Sequence, residues 1–109
     1  MCVDIFDNTI MPGGESLNFA ATISRLTDAK VCIIGAVGND SYGKTVLDSI
    51  KDFNIDKTHI RTENGDTASN RTYLTPDGDR YYKEDSWNGG VFSSFALSAS
   101  DRELLHSSD

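Results

Sequence analysis

Lys30-Val31-Cys32-Ile33-Ile34-Gly35-Ala36-Val37-Gly38-Asn39-Asp40-Ser41-Tyr42-Gly43-Lys44-Thr45-Val46-Leu47 is the stretch that decides the fold class of this chain. Residues 30–35 form a continuous apolar run, the pattern of a strand buried on both faces of a parallel sheet. After the glycine-rich turn, Val46, Leu47, Ile50 and Phe53 recur at helical spacing. That predicts a helix over 41–53 that stops at Asn54. Working outward, residues 2–6 read as a strand, 7–14 as a loop and 17–26 as a helix whose Leu17, Ala20, Ala21 and Ser24 share one small-residue face. The order β-α-β-α implies right-handed crossovers and a parallel α/β sheet.

Beyond Asn54 the pattern changes. Residues 58–62, 67–75 and 80–84 are rich in β-branched and aromatic side chains, and Pro76-Asp77-Gly78-Asp79 separates the last two as a strong turn. An antiparallel hairpin is expected there. Residues 85–95, with Gly89-Gly90, read as a loop, and Ser98-Ala99-Ser100-Asp101 as a capping box opening a short helix through Leu105. One central strand, one clipped strand and an exposed hairpin leave a parallel sheet incomplete. The expectation is the N-terminal part of a larger α/β enzyme.

With 109 residues the chain is at most one domain. A net charge of −7 disfavours nucleic acid and anionic membranes, which select basic surfaces. No apolar run is long enough to span a bilayer, and no basic segment opens the chain as in a signal peptide. Cys2 and Cys32 are expected as reduced, mostly buried thiols, neither in metal-ligand spacing with a histidine, so no metal site is expected. The cytoplasm is the expected compartment.

Two glycine-rich segments bear on chemistry. Gly13-Gly14-Glu15-Ser16-Leu17-Asn18 runs straight into the first helix. Paired glycines let the backbone turn sharply and approach a ligand, while helix-start amides and Asn18 point at what the glycines admit. Such a site suits a polar small molecule. The second, Gly38 to Thr45, fits the phosphate-loop pattern G-x-x-x-x-G-K-[ST] letter for letter, between a strand and a helix. In that reading Lys44 would reach phosphates and Thr45 would hold Mg²⁺. No downstream strand ending in Asp supports it. In the plainer account Asp40 or Ser41 caps the helix, Gly43 allows close packing and Lys44 is a solvated surface residue.

Three runs, taken in order, resemble the PfkB or ribokinase-like family of sugar kinases. They are Gly13-Gly14-x-x-x-Asn18-x-Ala20, then Gly35-Ala36-Val37-Gly38-Asn39-Asp40-Ser41-Tyr42-Gly43, then Asn54-Ile55-Asp56 with Thr67 and the hairpin. The spacing from Asp4 to Gly13 and the segment Ser94-Phe95-Ala96-Leu97-Ser98 most resemble fructoselysine 6-kinase-type members.

The resemblance implies a three-layer α/β sandwich with a β lid spanning about residues 58–84, and phosphoryl transfer from Mg-ATP to a sugar or fructosamine hydroxyl. It implies that Asp4 accepts hydrogen bonds from sugar hydroxyls, that Gly13, Gly14 and Asn18 wall the pocket, and that Asn70 and Thr72 close over it from one face of a lid strand. The plainer alternatives are a strand-end Asp4, an Asn18 bonded to local backbone, and solvated polar side chains at Asn70 and Thr72. Trp87, Tyr81 and Tyr82 are expected to pack the lid rather than to serve as sugar-stacking platforms, and His59 and His106 to be bystanders. The family's catalytic Gly-Ala-Gly-Asp run does not occur in these 109 residues. No catalytic residue is therefore expected in this chain, and Mg-ATP is expected only for a full-length enzyme. Two other readings stay open: a phosphate-loop NTPase, and a non-catalytic remnant that self-associates through exposed sheet edges.

Overall fold

The computed structural model describes all 109 residues. Strand β1, Cys2–Phe6, turns through Asp7 and Asn8 into an antiparallel partner β2, Thr9–Gly13. Asp7 takes a φ of 47°, one of the few non-glycine types that tolerates the left-handed region. The loop expected over 7–14 is thus mostly an edge strand. Helix α1, Glu15–Leu26, buries Leu17 and Ala20. It starts at Gly14, whose φ of 101° excludes other residues at low cost and which supplies no side-chain cap.

The apolar run of residues 30–35 is not one strand. It divides into β3, Val31–Cys32, and β4, Gly35–Gly38, which pair in parallel with β5, Ile55–Asp56, and β6, Ile60–Glu63, respectively. The Ile33 amide still bonds the Asp56 carbonyl, whereas the Gly35 amide bonds that of His59, so the backbone changes partner between them. Ile33 is buried, but Val31, Cys32 and Ile34 are only half-buried. Helix α2 covers Ser41–Ser49 rather than 41–53. Tight turns carry Ile50 and Phe53 onward on the same apolar face.

Strand β7, Ser69–Leu74, lies parallel to β1 with Asp4 beside Asn70 and Ile5 beside Arg71. The expected hairpin forms: β8, Arg80–Tyr81, folds back on β7 with Tyr73 opposite Tyr81. Residues 85–95 are not simply a loop. They contain β9, Trp87–Asn88, antiparallel to β7, and a 3₁₀ turn, Gly90–Ser94. The strand Ile60–Glu63 belongs with β4, so it lies outside the antiparallel pair and narrows the lid expected over 58–84. One core unites these parts: Val3 and Ile5 of β1, Leu17 and Ala20 of α1, Val37 of β4, Val46 and Ile50 around α2, and Ile33 and Ile55.

Helix α3, Ala99–His106, opens on the expected capping box, in which Ser98 and Asp101 bond each other's amides. Asp101 also accepts from His59 Nδ1 at 2.7 Å and from Arg61 at 3.2 Å, and Arg61 reaches the Ala96 carbonyl and lies 4.3 Å over the Phe95 ring. His59 is therefore no bystander; it ties α3 to the rest of the fold. Chiefly through His59, then the Ser98 amide, the Asp101 carboxyl is held down at about 2. A depressed carboxyl contributes stability that is complete above its unfolded value of about 4 and lost as pH falls through the folded one. Acid titration should accordingly release α3 as pH drops from about 4 towards 2, read by amide hydrogen exchange over residues 99–106. Asp101→Asn should show the same local exchange already at pH 7, and protection unchanged in that variant would refute the role.

Candidate functional site

Asp4 and Asn70 sit side by side because β1 and β7 run parallel in that register. Gly14 begins α1 directly beyond β2, and Asn18 follows one helical turn later, its amide bonding the Gly14 carbonyl. These elements bring Asp4, Gly14, Asn18 and Asn70 to one open cleft of about 870 Å³, with Cys2 beside them. That volume falls within the range of small-molecule sites. The side chains of Asp4, Asn18 and Asn70 make no hydrogen bond to the protein, so their acceptors and donors are free. Asn18 is thus not spent on local backbone. Burial, and then the Asp4 charge, push the Cys2 thiol up, which keeps it neutral beside the carboxylate.

Gly13 is buried behind this wall. A Cβ there would lie 2.5 Å from Oδ2 of Asp4, so its missing side chain makes the space in which the carboxylate sits. Thr72 is not brought to the cleft. Two residues along β7 from Asn70 the strand has advanced roughly 6.6 Å, and Thr72 is buried beside Phe6. Alternation placed it on the correct face, but too far along.

The opposite wall comes from the segment after the hairpin: Arg80, Tyr82, Lys83, Glu84, Ser86 and Trp87. Ser86 shapes it, since its hydroxyl accepts from the Lys83 amide at 2.6 Å and its carbonyl from Arg71 at 2.7 Å. Tyr81 packs the lid as expected, stacked on Tyr73 with ring centres 5.4 Å apart. Tyr82 and Trp87 do not. They are 58% and 55% exposed and face the cleft. Sequence reasoning preferred lid packing to a stacking role for both, because only the pairing of β9 with β7 sets Trp87 opposite Asn70.

The segment Gly38 to Thr45 does not fit a nucleotide. The Gly43 amide, which a phosphate would need, donates to the Asp40 carboxylate at 2.8 Å, and that carboxylate also takes the Thr67 amide and hydroxyl. Burial alone would raise the Asp40 carboxyl, but these hydrogen bonds, led by the Thr67 hydroxyl, outweigh it and hold it below the usual range. A fixed carboxylate thus already takes the amide that a phosphate would need. Lys44 turns away to Asp48, and the Thr45 hydroxyl bonds the Ser41 carbonyl. Gly43 is required because a Cβ would strike the Gly38 carbonyl. Nowhere do three His, Cys, Asp or Glu side chains converge as metal ligands, and no helix is long and apolar enough to cross a membrane.

A parallel-stranded α/β frame thus holds a polar cleft under an antiparallel flap. The sequence profile of pfkB family carbohydrate kinases matches residues 4–107. The chain belongs to that family. It is 30% identical to fructosamine kinase FrlD of Bacillus subtilis (strain 168) over 96 residues, 88% of this chain and 33% of that protein. It is 39% identical to ribokinase of Lactococcus lactis over 46 residues, 42% of this chain and 15% of the relative. The fold is ribokinase-like: Arabidopsis thaliana ribokinase, solved with ribose and ATP, superposes with a TM-score of 0.78 over 95% of this chain and 39% of its own, at 20% identity. Aminoimidazole riboside kinase of Salmonella enterica, solved with its riboside and an ATP analogue, gives 0.57 over 71% of this chain and 29% of its own, at 28% identity. The chain spans only about a third of the length of FrlD.

Proposed function

We propose that these residues form the sugar-binding part of an ATP-dependent carbohydrate kinase acting on a hydroxyl of a sugar or fructosamine. The observation that carries this reading is the convergence of Asp4, Gly14, Asn18 and Asn70, with free polar atoms, on one cleft. A carboxylate accepts from two neighbouring hydroxyls at once, and charge-assisted bonds of this kind are the strong ones. Asn18 and Asn70 each offer both a donor and an acceptor, matching hydroxyls that are both. Gly14 lets the ring approach the start of α1. The flap carrying Tyr82 and Trp87 covers the sugar and excludes water, which protects a phosphoryl donor from hydrolysis.

Mg-ATP would supply the phosphoryl group in a full-length enzyme, and in this reading the residues described here do not hold it. A general base on the sugar hydroxyl belongs, by family resemblance, to a Gly-Ala-Gly-Asp run that these residues lack. The purified chain should therefore bind sugar without turning ATP over. A coupled ADP-release assay across fructose, ribose and fructoselysine should read background only, and turnover by this chain alone would overturn the division of labour. A cytoplasmic setting fits the two free thiols.

A second reading concerns assembly. Strand β2 is an unpaired edge that exposes Ile10 and Met11, and such edges template pairing with another chain. Sedimentation velocity should show a dimer that Met11→Lys dissociates; a monomer at all concentrations would refute it.

A further inference from the structure

The wall of the cleft that carries Tyr82 and Trp87 has no apolar anchor. From Pro76 to Asn88 every residue is exposed except Ser86, which is 6% exposed, and none of them belongs to the core. A stretch that buries so little takes its geometry from hydrogen bonds and from the strands at its ends. Pairing with β7 fixes those ends, Tyr81 opposite Tyr73 and Trp87 opposite Asn70. Residues 82–86 span the gap between them.

Ser86 is what holds that span. Its amide donates to the Lys83 carbonyl at 3.0 Å, which closes a turn over Lys83-Glu84-Asp85-Ser86, and its carbonyl stitches the turn to the Arg71 amide, next along β7 from Asn70. Any residue would make these two backbone bonds. The hydroxyl adds a third that an alanine could not, accepting the Lys83 amide from inside the turn. The only buried side chain of the wall is therefore polar, and it is spent on the shape of the wall.

We infer that Ser86 is a positioning residue of the sugar site, whose hydroxyl sets where Tyr82 and Trp87 stand over Asp4 and Asn70 and so how long a bound sugar stays covered. This rests on the sugar-binding reading above. A cover held by one side-chain hydrogen bond opens at low cost, which suits a wall that must admit and release its ligand. Its loss acts on dissociation and not on the fold, because the core does not reach residues 76–88.

Trp87 is the only tryptophan of the chain, so its fluorescence reports on this wall alone. In Ser86→Ala the Trp87 anisotropy of the free chain should fall while the melting temperature stays that of the parent. Stopped-flow fluorescence with fructoselysine should show dissociation roughly three- to tenfold faster, the range one hydrogen bond is worth, with association unchanged. Ser86→Thr keeps the hydroxyl and should restore both readings; a threonine chain that behaves like the alanine one removes the hydroxyl from the role. Faster dissociation with unchanged anisotropy overturns positioning and makes Ser86 a direct contact of the sugar instead. Lower anisotropy with unchanged dissociation shows that the wall does not retain the sugar, which overturns the role and leaves the sugar site standing. A parent chain that binds no fructoselysine, fructose or ribose overturns the sugar-binding reading itself, and this role with it.

Discussion

Asp4→Asn is expected to weaken sugar binding about a hundredfold while leaving the melting temperature unchanged, since one charge-assisted hydrogen bond, worth about 1.5–3 kcal/mol, is lost and its neighbour is weakened. The asparagine keeps the volume but loses the charge and one acceptor. The fold should not notice, because the Asp4 side chain makes no hydrogen bond to the protein and its neighbour Asn70 is held by backbone pairing. Gly13→Ala offers an independent route to the same loss. Its new Cβ would meet only the tip of the Asp4 side chain, which can swing aside, so the chain stays folded with its carboxylate misplaced. Titration calorimetry and thermal unfolding on the two variants check both halves of the claim. A variant that melts normally and binds normally would remove Asp4 from the site.

The second large effect lies in the scaffold. Gly38→Ala places a Cβ against the Gly65 carbonyl and the Thr67 amide, both backbone atoms that cannot turn away. The crossing is close because the Gly38 amide donates to the Thr67 hydroxyl at 2.9 Å while Asp40 grips the same residue. Overpacking of this kind costs about 3 kcal/mol when the neighbours are backbone, and for a domain of this size that lowers Tm on the order of 15 °C. The loss is expected without any effect on a nucleotide, because in this account the segment is structural. Thermal unfolding within a degree or two of the parent would show that β4 and the 65–67 turn can separate freely.

Much of the frame was legible in the sequence because local chemistry and tertiary role agree there. The Pro76-Asp77-Gly78-Asp79 turn and the Ser98 capping box satisfy backbone groups locally wherever they are placed, and residues 2–6 carry the alternating burial of a strand that its neighbours then pair. Strand β2 was not legible. Thr9-Ile10-Met11-Pro12-Gly13 carries a proline and a glycine and exposes its first three residues, so nothing but pairing with β1 makes it a strand. The run at 30–35 misled for the opposite reason: its hydrophobicity is continuous although its hydrogen bonding changes partner at Ile34. The end of α2 misled similarly, since turns after Ser49 keep Ile50 and Phe53 on the helical face.

The candidate site divides in the same way. Asp4, Gly14, Asn18 and Asn70 were readable from motif resemblance and strand alternation, and they do meet. Alternation fixes a face but not a distance along the strand, which is why Thr72 was placed in the cleft and lies outside it. Tyr82, Trp87 and the charges at Arg80, Lys83 and Glu84 carry no local signal at all. Their position depends on how a two-residue strand, β9, closes on β7. The His59–Asp101 pair was equally invisible, joining residues that no spacing rule connects.

The central claim is that the cleft between β1, the start of α1 and the flap receives sugar hydroxyls. An amide-resolved NMR titration of the isolated chain with fructoselysine tests it most directly. The expected result is saturable shifts at Gly14, Asn18, Asn70 and Trp87, absent in Asp4→Asn, with residues 38–45 unmoved by sugar or by ATP. Shifts that spare those four residues, or that gather at 38–45 on adding ATP, would contradict the account.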